Sequence, residues 1–146
     1  MAKTHDQKYL LIGSGKGLII QYCLKEMILV KEYPIFKYKI TSIAITHDNQ
    51  SIFCSDSRGN LTQLSLKDGL LEIEKEHRKA HKVQINCITI SSDDKFMATG
   101  CGQGFIKLWS LLEKKWISGV SQQSSSNIIM DMKFCKAGNS LYSMDM

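Results

Sequence analysis

The sequence of 146 residues has few of the features that mark membrane, secreted or nucleic-acid-binding proteins. No apolar run approaches the roughly 18 residues that cross a bilayer, and residues 1–8 contain no apolar signal core. The five cysteines lack CxxC spacing. Arginine occurs only at Arg58 and Arg78, so the net charge of +5 rests on lysine and favours solubility over base or phosphate recognition. We therefore expect an intracellular, cytoplasmic or nuclear protein with no membrane span and no specific nucleic-acid partner.

What the sequence does contain is an internal repeat. Residues 40–66 align without a gap with residues 85–111, and residues 13–19 align with residues 100–106. The identical pairs of the first alignment fall on alternating apolar positions and at turns: Ile40/Ile85, Ile43/Ile88, Ile45/Ile90, Asp48/Asp93, Gly59/Gly104, Ser65/Ser110 and Leu66/Leu111. A period of about 42 to 45 residues indicates a repeated supersecondary unit.

Each period predicts four antiparallel strands and no helix. Apolar alternation marks the first strand, polar and glycine-containing turns separate the next two, and an amphipathic run gives the fourth. Four strands in each period are typical of a β-propeller blade. The sequence predicts a partial blade over residues 8–33, blades over 40–76 and 85–120, and a partial blade over 128–146.

Residues 80–110 resemble a WD-repeat blade. The family's Gly-His pair corresponds to Ala80-His81, its Ser-Pro-Asp-Gly turn to residues 91–94, and its Trp-Asp pair to Trp109-Ser110. The resemblance implies an all-β, partial propeller and a buried hydrogen-bond relay formed by His81, Thr99 and Trp109. In this sequence Gln103 occupies the position where the family has the Asp of the relay. We therefore expect the relay to be incomplete.

The other repeats depart further from the family pattern. The His and Trp positions of the preceding repeat hold Phe36 and Leu64. The Trp position of the first partial blade holds Tyr22, and the His position of the last repeat holds Ser125. Apolar side chains at such positions can fill a blade core in place of a partly satisfied polar network.

The blade count predicts an open arc. Roughly three and a half blades are fewer than the four to eight that close a propeller. We therefore expect a fragment or truncated part of a larger propeller, or a half-ring that self-associates through its open end blades.

Other motifs compete with this interpretation. The loop Gly13–Gly17 resembles part of a phosphate-binding loop, but Gly17 stands where a hydroxyl should follow Lys16, and its alignment with residues 100–104 favours a hairpin turn. His77 and His81 lack further metal ligands at a supporting spacing, and no base is placed beside a cysteine. The basic stretch 75–82 predicts a solvated loop. We assign no catalytic, cofactor-binding or metal residue and no cofactor, while Trp116 is a candidate partner anchor.

The resemblance implies a non-catalytic scaffold that binds proteins or peptides. In the family, partners dock on the face that carries the loops between second and third strands and between blades. The corresponding residues are Lys16, Asp56, Ser57, Arg58, Lys82 and Gln103. Two alternatives stay open: a regulatory propeller module of a longer enzyme, and a nucleotide-binding protein that uses the Gly13–Gly17 loop.

Overall fold

The chain is built from short β-strands. A computed structural model describes residues 1–112, 117–123, 127–135 and 140–145, with only the backbone described for residues 117–122. Within these residues there is no α-helix, and so none that could cross a membrane. The strands are β1 (Ala2–Lys3), β2 (Tyr9–Gly13), β3 (Leu18–Cys23), β4 (Ile28–Pro34), β5 (Ile40–Ile45), β6 (Ser51–Asp56), β7 (Leu61–Lys67), β8 (Leu70–His77), β9 (Ile85–Ile90), β10 (Phe96–Cys101), β11 (Phe105–Ser110), β12 (Ile117–Gln123), β13 (Ile129–Phe134) and β14 (Leu141–Asp145). Trp116 and Ser125 lie outside the described residues.

The strands form antiparallel sheets in chain order. Three sheets have four strands each, β1–β4, β5–β8 and β9–β12, and β13 pairs with β14 in a two-stranded sheet. The first strands of consecutive sheets contact one another, β1 with β5, β5 with β9 and β9 with β13, so they line the inner side of an arc. The predicted fold class, an all-β partial propeller with an open arc of roughly three and a half blades, is confirmed.

The hydrophobic core lies between the sheets. One cluster joins the first two sheets through Leu11, Ile19 and Leu64, a second joins the second and third sheets through Phe53 and Trp109, and a third joins β13 to the third sheet. Each sheet can bury an apolar face only against its neighbour, which explains why apolar residues alternate along the inner strands.

A β-bulge recurs at one place in each four-stranded sheet. The pairing of the third and fourth strands shifts between Gln21 and Tyr22, between Gln63 and Leu64, and between Leu108 and Trp109. The second residue of each pair occupies the family's Trp position. The repeat is therefore present in backbone geometry as well as in sequence.

The first sheet contains a strand that the sequence analysis left out. The expected partial blade over residues 8–33 lacks β1, which pairs Ala2 with Leu11 and Lys3 with Leu10 and so gives the sheet four strands. A strand of two residues is too short to show apolar alternation. Its following turn carries the missed signal, because Thr4-x-Asp6 matches Thr46-x-Asp48.

A buried polar network also joins the first two sheets. The Tyr33 hydroxyl donates to Gln21 Oε1 at 3.0 Å and accepts the backbone N–H of Leu71 at 3.2 Å. Gln21 Nε2 donates to the carbonyl of Gly69 at 2.9 Å. Because Gln21 and Tyr33 are both buried, these bonds satisfy groups that water cannot reach, and they fix how the sheets are placed.

Candidate functional site

Three buried side chains form a hydrogen-bonded relay inside the third sheet. The indole Nε1–H of Trp109 on β11 donates to Thr99 Oγ1 on β10 at 2.9 Å, and the same oxygen lies 2.7 Å from Nε2 of His81. Since the indole can only donate, the Thr99 hydroxyl is free to donate its own proton to a neutral His81. The structure thus brings together all three residues that the sequence analysis placed in the relay.

His81 is held in its neutral form by its surroundings. Its side chain is almost fully buried, and burial lowers the pKa of the imidazole from 6.5 to about 4, with a smaller effect from the positive charge of Lys107. Lys107 Nζ donates to the carbonyl of Ala80 at 2.6 Å. Lys107 therefore anchors the connection that carries His81, a role that the sequence analysis did not assign.

The turns between second and third strands pack against the connections between sheets. Gly17 and Gly59 both have a φ of +80°, and a Cβ at these positions would lie 2.0 Å from the carbonyl oxygen of Phe36 and 2.2 Å from that of His81. The carbonyls of the two glycines accept the backbone N–H groups of Phe36 and His81. Only glycine combines this backbone conformation with so close an approach. These contacts join turns and connections into one face of the arc.

Most of the predicted partner-binding residues lie exposed on that face. Lys16, Arg58 and Gln103 are exposed on the turns, Lys82 is exposed on the connection between the second and third sheets, and Ser57 is half-buried.

Asp56 is the exception, because the structure contradicts its assignment as a contact residue. Its side chain is fully buried, and its carboxylate accepts hydrogen bonds from the backbone N–H groups of Arg58 and Asn60 and from Asn60 Nδ2. It stabilises the β6–β7 turn from within.

Comparisons with known proteins agree with this architecture. A family model described as "WD domain, G-beta repeat" matches residues 74–110, which include His81, Thr99 and Trp109. The β-propeller domain of Cps50 (Swd1) from Myceliophteria thermophila superposes with a TM-score of 0.83 over 99% of this chain and 49% of that chain, at 12% identity. Residues 74–110 match the WD-repeat family, and the whole chain has the β-propeller fold.

Curated WD-repeat relatives are longer than this chain. WD repeat-containing protein 18 of Mus musculus is 27% identical over 96 residues, which cover 60% of this chain and 22% of the relative. Cilia- and flagella-associated protein 57 of Mus musculus is 26% identical over 93 residues, which cover 62% of this chain and 7% of the relative. The chain therefore spans less than a quarter of either relative. WD-repeat propellers are generally non-catalytic interaction scaffolds.

The sequence departs from the WD-repeat pattern at the Asp position of the relay. Gln103 is exposed on the β10–β11 turn, and no hydrogen bond joins it to His81 among the residues that the structure describes. In the preceding blade the relay positions hold Phe36, Cys54 and Leu64, which pack together in the core between the first two sheets. Burial raises the pKa of the Cys54 thiol, which keeps it protonated. That blade is stabilised by apolar packing instead of a polar relay.

The competing motifs lie in ordinary structural positions. The Gly13–Gly17 loop connects β2 to β3, so no helix N-terminus points at it as a phosphate-binding loop requires. A Cβ at Gly13 would lie 2.5 Å from Ile40 Cγ2, so this glycine allows the next sheet to approach. The ring of His77 packs edge-on against Trp109 with centroids 5.2 Å apart. Within the described ranges no group of three His, Cys, Asp or Glu side chains could hold a metal ion.

The opposite face carries a second repeated turn that links neighbouring blades. Gln7, Asn49 and Asp94 occupy equivalent turn positions with positive φ. The Asn49 side chain accepts the backbone N–H of His5 at 2.6 Å, and Asp94 accepts that of His47 at 2.9 Å. At Asn49 and Asp94 the residue type explains the positive φ, since Asn and Asp tolerate this conformation better than most other non-glycine residues. These turns therefore fasten the first sheet to the second and the second sheet to the third.

Proposed function

We propose that this chain is a non-catalytic scaffold whose partners dock on the face carrying Lys16, Ser57, Arg58, Lys82 and Gln103. The observation that carries the proposal is the hydrogen bonding between turns and connections, which holds exposed polar side chains on a fixed backbone. A preorganised face loses little conformational entropy when a partner binds. The partners are proteins or peptides, as the match of residues 74–110 to the WD-repeat family suggests.

Quantitative affinity purification tests this face. Proteins retained by the wild-type chain are compared with those retained by Lys82→Glu and by Lys25→Glu. Lys25 is exposed in the β3–β4 turn, at the opposite end of the strands, and its substitution changes the charge equally. We expect a set of proteins that Lys82→Glu loses and Lys25→Glu keeps. Identical sets for both variants would contradict the placement of the face.

The same proposal places the chain inside the cell and in the cytoplasm. Within the described residues no cysteine forms a disulfide, and Cys54, Cys87 and Cys101 are buried. Cysteines without disulfides are typical of a reducing compartment. A fluorescent fusion excluded from the cytoplasm would contradict this location.

We also propose that the β13–β14 sheet pairs with a second copy of the chain. Within the described residues no strand pairs with the outer edge of β14, and Tyr142 and Met144 on this strand are 67% and 62% exposed. An unpaired edge with exposed apolar side chains favours association with another strand.

A further inference from the structure

Both arginines of the chain, Arg58 and Arg78, lie at one groove that is separate from the relay. The groove, called here the Tyr38 groove, has a volume of about 340 Å³ and lies between the connection that follows β4 and the adjacent ends of β7 and β8. It is lined by Ile35, Phe36, Tyr38, Leu61, His77 and Arg78, among others. Arg58 stands beside it, with its guanidinium carbon 5.0 Å from the centroid of the Tyr38 ring.

The floor of the Tyr38 groove is apolar in part, with the polar Asn60 and Thr62 also lining the groove. Ile35 and Phe36 pack on the core between the first two sheets, and Leu61 is fully buried. The ring of Tyr38 is 44% exposed although Arg58 lies over it. An exposed aromatic ring beside a concave apolar floor is suited to an apolar side chain of a partner.

The rim of the groove has an excess of positive charge. Lys37 and Arg78 line it, and Arg58 adds a third cation. Of the carboxylates that line the described part of the groove, Asp56 is buried and already accepts three N–H groups. Glu76 lies 3.7 Å from Arg78, but this pair is exposed and therefore weak. The positive charges of Lys37, Arg58 and Arg78 therefore exceed the neighbouring negative charges, and they can bind carboxylates of a partner.

We infer that the Tyr38 groove binds an extended acidic peptide segment that inserts one aromatic or large aliphatic side chain against Tyr38 and Phe36. Arg58 and Arg78 can each take a carboxylate in a two-point hydrogen-bonded geometry, which lysine cannot match. The apolar floor favours a peptide over nucleic acid, whose binding would rest on phosphate contacts along a longer basic surface. The inference rests on the proposed scaffold function and assigns it a partner class.

Fluorescence anisotropy tests the inference with a defined probe. The probe is a fluorescein-labelled synthetic peptide of about twelve residues with one tryptophan between glutamates, titrated with the full chain. We expect saturable binding, and we expect Arg78→Glu and Tyr38→Ala each to weaken it about fivefold or more, since each removes one exposed contact. A control peptide in which serine replaces the tryptophan should bind the wild-type chain more weakly than the original peptide does. The control variant Lys25→Glu should bind the original peptide with the affinity of the wild-type chain.

Several results would overturn the inference. The inference is wrong if the peptide does not bind the chain, or if Lys25→Glu and Arg78→Glu weaken peptide binding equally. It is also wrong if a single-stranded DNA oligonucleotide binds more tightly than the peptide and its binding depends on Arg78. Binding lost in Lys82→Glu but kept in Arg78→Glu would reject the groove and leave the proposed face standing. Thermal melts establish that the variants fold. If Tyr38→Ala does not fold, Tyr38→Ser replaces it.

Discussion

The imidazole of His81 makes stability depend on pH. Its pKa is about 4 in the folded chain and 6.5 as the ordinary value for an unfolded one. Between these pH values the unfolded chain binds a proton that the folded chain does not. The stability that neutral His81 confers is therefore present above pH 6.5 and is lost as the pH falls toward 4, by at most about 1.4 kcal/mol per pH unit. Urea unfolding curves across this range measure the loss.

His81→Phe is the matched variant, because Phe36 occupies the same position in the preceding repeat. It should flatten the pH profile between 6.5 and 4, and the difference from the wild-type chain isolates His81 from the other three histidines. Hydrogen bonds from the Thr4 and Ser91 hydroxyls lower the pKa of Asp6 and Asp93, so their contributions are lost below the ordinary value of 3.8. An unchanged profile in His81→Phe would contradict the neutral relay.

Thr99 is the residue on which the relay depends. Thr99→Val keeps the volume but leaves His81 Nε2 and the Trp109 N–H buried without this partner. We expect unfolding free energy to fall by about 2–4 kcal/mol, measured by urea unfolding.

Ser65→Ala is the control for Thr99→Val. The Ser65 hydroxyl is a buried side-chain group that has no hydrogen-bond partner within the described residues. Its removal should leave stability unchanged or raise it. A Thr99→Val cost no larger than that of Ser65→Ala would show that the relay adds nothing to the fold.

The turns between second and third strands, which pack against the connections, make a further prediction. A Cβ at Gly59 would lie 2.2 Å from the His81 carbonyl oxygen at a φ of +80°, so Gly59→Ala should cost more than about 2 kcal/mol. Gly15, on the equivalent turn of the first sheet, has no atom within 4 Å of its Cβ position. Gly15→Ala should change stability by less than about 0.5 kcal/mol, as thermal or urea unfolding can show. Equal costs for the two variants would contradict the packing of turns against connections.

The sequence could predict the repeated elements but not all of their contacts. Period, strand order and the relay follow from apolar alternation and from the family positions around His81 and Trp109. The strand β1 could not be predicted from alternation because only two residues pair. Burial of Asp56 was missed because a turn aspartate looks the same in sequence whether it faces solvent or caps its own loop.

Contacts other than the pairing of neighbouring strands were harder still to predict. The bond from Lys107 to the Ala80 carbonyl joins a strand to a connection 27 residues away. The hydrogen bonds from Gln21 Nε2 to the Gly69 carbonyl and from the Leu71 N–H to the Tyr33 hydroxyl cross from one sheet to the next. Such pairs depend on how sheets stack, which the local pattern of polar and apolar residues does not encode.

At the scale of the whole molecule, the described sheets form an arc in which no described strand pairs with the outer edge of β14, and the proposed pairing with a second copy predicts self-association. Light scattering should give twice the monomer mass of 16.5 kDa, and Met144→Lys should lower it because a charge would be placed in the joining edge. Lys25→Glu, distant from β14 in the chain, serves as the control. A monomer at every concentration tested, with cooperative unfolding, would contradict pairing with a second copy.

The central claim is that a fixed face built from turns and connections binds protein partners. The most direct measurement is isothermal titration calorimetry of a purified partner from the affinity comparison against the wild-type chain, Lys82→Glu and Lys25→Glu. The account predicts that Lys82→Glu weakens binding about fivefold or more while Lys25→Glu binds as the wild-type chain does. Equal affinity for all three proteins would contradict it.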